Sequence, residues 1–112
     1  MRLDFIKTAS FDYSAKQGVT FQVDVKIKHP DSSPVDVTGY SSSIVVYNDI
    51  DKSLIATING TITDGPNGEI HFEHSAVNTA LMPIGRWNYK LEMTTPTPVT
   101  TRLSEGFFEV NY

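Results

Sequence analysis

The chain has 112 residues, no cysteine, a net charge of −4 and a sequence pI of about 5.2. That length suits one domain, residues 1–112, with a single core that needs no cross-links; the missing thiols exclude disulfides, cysteine nucleophiles and thiolate metal sites. The nine Lys and Arg residues are spread along the sequence without the basic stripe of a nucleic-acid binder, and no apolar run reaches the roughly 18 residues of a membrane span.

Met1–Phe5 has neither an apolar h-region nor a small-residue cleavage pattern, so no secretory signal is expected and synthesis in a cytoplasm follows. Leu3, Phe5, Phe11 and Tyr13 suggest one or two strands at the start. From Val19 to Lys28 the chain alternates strictly. Val19, Phe21, Val23, Val25 and Ile27 take one parity and polar residues the other, which a strand gathers on one face and a helix does not. His29-Pro30-Asp31-Ser32-Ser33-Pro34 then makes a loop. Ile44-Val45-Val46-Tyr47 is apolar on both parities, as in a strand covered on both sides or lying near the middle of a sheet.

Two apolar-alternating pieces, Leu54–Ile58 and Thr61–Thr63, flank Asn59-Gly60, a dipeptide suited to positive φ in a type I′ turn, so residues 54–64 are predicted to form a tight hairpin. Glu69–Glu73 alternates with Ile70 and Phe72 inward. Ser75 can cap one helical turn carrying Ala76, Val77, Ala80 and Leu81, ended by Pro83, a connection between sheets and too short to be a layer of its own. Trp87, Tyr89, Leu91 and Met93 share the apolar face of residues 86–93. In the last segment Val99, Thr101 and Leu103 are odd, whereas Phe108, Val110 and Tyr112 are even; a swap of parity requires an inserted residue, and Gly106 suggests a bulge at Glu105–Gly106. Eight or so short strands and one helical turn imply an all-β fold: an antiparallel, Ig-like two-sheet sandwich with Greek-key links.

Candidate chemistry is sparse. His71 and Glu73 fall on one strand face and His74 on the other, unlike the i, i+4 pairing by which helical HExxH motifs chelate zinc, so no metal site is predicted. Asp49-Ile50-Asp51 and Asp64–Gly68 lack the ligand spacing of an EF-hand and read as turns. The Gly39–Ser43 stretch is no nucleophile elbow, and no Gly-rich phosphate loop or carboxylate pair suited to acid–base work is present. No cofactor and no catalysis are expected. Trp87 and Tyr89 could stack on a sugar, but they share a parity with Leu91 and Met93 and therefore belong with the core.

Four segments occur in an order that resembles a known family: Gln17–Phe21, Pro34–Tyr40 with Asp36-Val37-Thr38-Gly39-Tyr40, Thr79–Glu92 with Leu81-Met82-Pro83-Ile84-Gly85-Arg86-Trp87-Asn88-Tyr89, and Val99–Val110. These resemble small tailed-phage structural proteins and N-terminal modules of baseplate or fibre-associated proteins. Trp87 stands where that family usually has Tyr, and Lys90 where it often has Asp. The resemblance implies an Ig-like sandwich in a virion, with other virion proteins as partners in several copies and no nucleic-acid or membrane partner. It implies a non-enzymatic part of the tail, baseplate or neck that links fibres through β-sheet contacts. A capsid decoration protein is the alternative, and a carbohydrate-binding module for host attachment a second. The first and last strands are then the expected assembly surfaces, through Leu3, Phe5, Phe107, Phe108, Val110 and Tyr112, because the final strand ends with no tail to shield it; the same edges would let copies of the chain pair as a homo-oligomer.

Overall fold

A computed structural model describes residues 9–10, 12–29 and 31–112. The strands are β1 (Ala9–Ser10), β2 (Tyr13–Lys16), β3 (Phe21–Lys26), β4 (Ser41–Tyr47), β5 (Leu54–Asp64), β6 (Glu69–His74), β7 (Gly85–Thr94) and β8 (Thr100–Asn111), with α1 (Ala76–Ala80) between β6 and β7. Hydrogen bonding runs in the order β1-β8-β7-β4-β5-β6-β3, with β2 also on β8. The fold is all-β as expected, and its ladders are antiparallel except that β1 and β2 run parallel to β8. β4 lies between β5 and β7, which accounts for its two apolar parities: Ile44 and Val46 are fully buried, while Val45 and Tyr47 are half-buried on the other face.

Residues 54–64 are not a hairpin. They form one continuous strand, whose first half pairs with β4 (Ser43↔Asn59) and whose second half pairs with β6 (Gly60↔Phe72). A type I′ turn needs positive φ at both central residues, and neither Asn59 nor Gly60 has it. Gly60 is required for a different reason. A Cβ there would lie 2.7 Å from Phe72 Cε1 and 2.8 Å from Ile70 Cγ2, so glycine admits two core side chains where β5 leaves the larger sheet (β1, β2, β8, β7, β4, β5) and enters the smaller one (β5, β6, β3).

The two sheets enclose a core of Ile44, Val46, Ile58, Ile70, Phe72, Tyr89, Leu91, Met93, Phe108 and Val110. Four rings tie them together at one end: Tyr13 on β2 lies 4.9 Å from Tyr89 and 5.8 Å from Phe21, and Phe21 lies 5.0 Å from Phe108 (centroid distances). Tilted and edge-on pairs of this kind contribute about 0.5–1.5 kcal/mol each beyond area burial. Burial also raises the hydroxyl pKa of Tyr13, with Tyr89 beside it adding to the rise, so both rings stay neutral near pH 7.

Three sequence expectations shift in place. Val19 is 54% exposed in the turn before β3 rather than on its inner face. The parity change in β8 exists, but it occurs where Leu91 faces Ser104 and Glu92 faces Arg102, so the inserted residue is Leu103 and not one at Glu105–Gly106; Leu103 and Ser104 are consecutive and both buried. The helical turn is capped by Ser75, whose Oγ accepts from Asn78 N at 3.2 Å, yet Val77 and Leu81 point outward and the fully buried side chain is Thr79.

Candidate assembly surfaces

Of the expected surface residues, Leu3 and Phe5 lie outside the described residues. Phe108 and Val110 are 0% and 1% exposed, because the even parity of β8 after its bulge faces the core, so neither can present a side chain to a partner. Phe107 and Tyr112 are exposed, at 40% and 89%. Nor is β8 an edge. It is flanked by β7 on one side and by β1 and β2 on the other. Between those two short strands the carboxylate of Asp12 accepts the Phe107 N–H at 3.0 Å. Among the described residues the ladder ends that carry no further strand are β1 with β2, beyond β8, and β3, where inward-facing Val23 and Val25 are only half-buried.

The outer face of the larger sheet carries the most developed surface. Register places side chains there in rows across the strands: Leu54, Tyr47, Asn88 and Phe107; then Thr57, Val45, Lys90 and Glu105; then Asn59, Ser43, Glu92 and Arg102. The Arg86 guanidinium sits 4.1 Å from the centre of the Phe107 ring and Lys52 Nζ 5.8 Å from that of Tyr47. A concavity of about 390 Å3 is lined by Val45, Tyr47, Lys52, Leu54, Lys90 and Arg102. Further along the same strands a second one, of about 250 Å3, is lined by Ser41, Ser42, Ser43, Asn59, Glu92, Thr94 and Thr100. Sequence reasoning passed over this face. The apolar residues at both parities of Ile44–Tyr47 were its signal, since Val45 and Tyr47 are the outward pair.

On the outer face of the smaller sheet, His71 Nδ1 is 2.7 Å from Asp24 Oδ1 and its Nε2 is 3.5 Å from Glu73 Oε1. Those bonds, to Asp24 first and Glu73 second, raise the imidazole pKa. His74 faces the other way, as the strand alternation requires, into a concavity of about 190 Å3 with Ile55, Ala56, Thr57, Asn78, Leu81 and Met82, and burial lowers its pKa. No cluster of three or more metal-ligating side chains occurs among the described residues, and none of their helices is long and apolar enough to cross a membrane. The suggested sugar platform does not exist as a pair: Tyr89 is fully buried, and half-buried Trp87 donates its indole N–H to Pro83 O at 2.9 Å.

No family model and no curated protein sequence matches the chain. Among solved structures, the chain is similar to the N-terminal domain of phage TP901-1 ORF48, with a TM-score of 0.59 and 11% identity over 91% of this chain and 86% of that one. A filamin domain of Lin-41 aligns at a TM-score of 0.43 and 13% identity over 88% of this chain and 82% of that one.

Proposed function

We propose that the chain is a non-catalytic structural module of a tailed-phage virion, placed in the tail, baseplate or neck and joined to other virion proteins through its sheets. The observation that carries this reading is the match to the phage ORF48 domain, which spans nearly all of both chains and so relates whole domains rather than a shared hairpin. A core that needs no disulfide is compatible with it. In this reading the assembly surfaces are the β3 edge, which can accept a further strand, and the outer face of the larger sheet with Phe107. Tyr112, exposed beyond β8, adds a contact at the end of that strand.

Peptide mass spectrometry of purified particles from a culture that expresses the chain tests the proposal. Its recovery at a fixed copy number per particle supports it, and its absence from particles sinks it. The copy number also separates a tail or baseplate position from decoration of the shell, where copies scale with the number of capsid subunits.

A further inference from the structure

We infer that the concavity on the outer face of the larger sheet docks an extended segment of a partner protein bearing one apolar side chain followed, at alternate positions, by two carboxylates. Lys52, Lys90 and Arg102 converge on it, with Val45, Tyr47 and Leu54 as its apolar wall, and none of its lining residues is acidic, although the chain as a whole has a net charge of −4. Four of the nine basic residues, Lys52, Arg86, Lys90 and Arg102, lie on this face, with Glu92 and Glu105 among them just outside the lining of the concavity. So do the exposed Leu54, at 64%, and Phe107, at 40%. An aromatic and arginine-rich surface with an apolar floor is the composition found at the energetic centres of protein interfaces.

The register sets the spacing of the ligand. Tyr47 and Leu54 lie in the row of Asn88, Lys90 in the next and Arg102, opposite Glu92, in the one after. Neighbouring rows are about 7 Å apart, which is two residues of an extended chain. Each step also moves one strand, about 4.8 Å, sideways, from β4 to β7 to β8. A segment running obliquely across the rows, with steps of about 8 Å that the long Lys90 and Arg102 side chains can bridge, therefore sets its apolar residue on Tyr47 and Leu54, its first carboxylate on Lys90 two residues later, and its second on Arg102 after two more. The cations already have partners: Lys52 Nζ is 2.8 Å from Asp49, Lys90 Nζ is 3.8 Å from Glu92, and Arg102 is 3.7 Å from Glu92 and 3.5 Å from Glu105. The pairs made by Lys90 and Arg102 are long, and Glu92 is shared between two cations, so incoming carboxylates can compete for them. An anionic glycan is the weaker fit. The site offers a sugar one ring, Tyr47, with Lys52 Nζ already 5.8 Å from its centre, and the hydroxyl-rich hollow beside it offers none.

The virion reading bears only on which protein supplies the segment; the site itself is tested on the full chain in solution. The probe is a capped nonapeptide with leucine third and glutamate fifth and seventh, serine and glycine elsewhere, titrated into 15N-labelled protein. Shifts centred on Val45, Tyr47, Lys52, Leu54, Lys90 and Arg102 are expected, with affinity about tenfold weaker for Lys90→Glu. Affinity is also expected to fall when the two glutamates are made adjacent, or when the leucine becomes serine. The spectra themselves report whether the variant is folded. Equal binding of the adjacent-glutamate peptide, shifts located elsewhere, or no shift at millimolar peptide overturns the inference. So does stronger binding of an oligogalacturonate at the same residues, which would make the concavity a glycan site. None of these outcomes touches the particle measurement, so failure of the site and failure of the virion reading are told apart.

Discussion

Between β4 and β6 the chain changes sheet inside a strand, at Asn59–Gly60, whereas between β6 and β7 it changes sheet through α1 and the corner that follows. The first crossing is steric. Gly60 has no Cβ, and the space one would need is filled by Phe72 and Ile70. The second is held by polar contacts: Thr79 Oγ1 lies 2.9 Å from Val19 O, Gln17 Nε2 donates to Met82 O at 2.8 Å, and Ser75 caps the turn. Val77 and Leu81 meanwhile stand 73% and 78% exposed. A crossing made by packing fails when volume is added; one made by hydrogen bonds fails when a bond is removed, and its outward residues are free to vary.

The largest effect expected from this contrast is at Gly60. Overpacking a core costs about 1–3 kcal/mol and occasionally more, and Gly60→Val, β-branched against a ring and a methyl, is expected at or above the top of that range. Urea melts check it; a loss under about 1 kcal/mol would show that β5 can shift away from Phe72. Gly60→Ala with Phe72→Leu sharpens the same point. If the ring is the obstacle, the double variant is less destabilised than the sum of the singles by about 1 kcal/mol, and strict additivity would place the obstacle elsewhere.

At the second crossing, Thr79→Val keeps the shape and deletes the hydroxyl, leaving the Val19 carbonyl without this donor. A loss of about 1–3 kcal/mol is expected from an unsatisfied buried group, with unchanged spectra at the Gly60 crossing. Val77→Ser and Leu81→Ser on the same turn are expected within about 0.5 kcal/mol of the parent, because their side chains already face water. A clear loss from either would mean that the outward face of α1 is covered in solution.

How far these crossings could be read from sequence follows from the same residues. The period-two signal located β3, β6 and β7 because their inward sets, Phe21 to Val25, Ile70 with Phe72, and Tyr89 to Met93, need only a sheet to satisfy them. The Asn59-Gly60 dipeptide misled, since turn chemistry and close packing both select glycine. Parity held the answer: across a two-residue hairpin Ile58 shares a face with Thr61 and Thr63, whereas in one continuous strand Ala56, Ile58, Gly60 and Ile62 share a face, the apolar arrangement that is observed. The turn at Ser75 was legible from its cap, but its buried side was not, because Thr79 is held by a bond to Val19, a residue 60 positions away. For the surfaces, the sequence offered Phe107, Phe108, Val110 and Tyr112 as one group. The even parity after the bulge already turns Phe108 and Val110 inward and Phe107 outward, whether the inserted residue is Leu103 or lies at Glu105–Gly106, so that part of the grouping was legible from alternation alone.

The smallest expected effect concerns pH, and it divides the two histidines of β6. Bonds to Asp24 and then Glu73 raise the pKa of His71 above the ordinary value of 6.5, so protonation favours the fold; that stabilisation is fully present below pH 6.5 and is lost as pH rises through the higher folded value. His74, facing the hollow beside α1, has its pKa lowered by burial, so protonation opposes the fold: above pH 6.5 it contributes no pH dependence, and a penalty grows as pH falls from 6.5 to the lower folded value. Thermal melts across this range should therefore show His71→Gln losing its deficit relative to the parent as pH rises above neutrality. His74→Gln should gain on the parent only under acid conditions. If both variants followed the parent at every pH, neither imidazole would have a different affinity for protons in the folded and unfolded chains, and the bonds to Asp24 and Glu73 would not persist in solution.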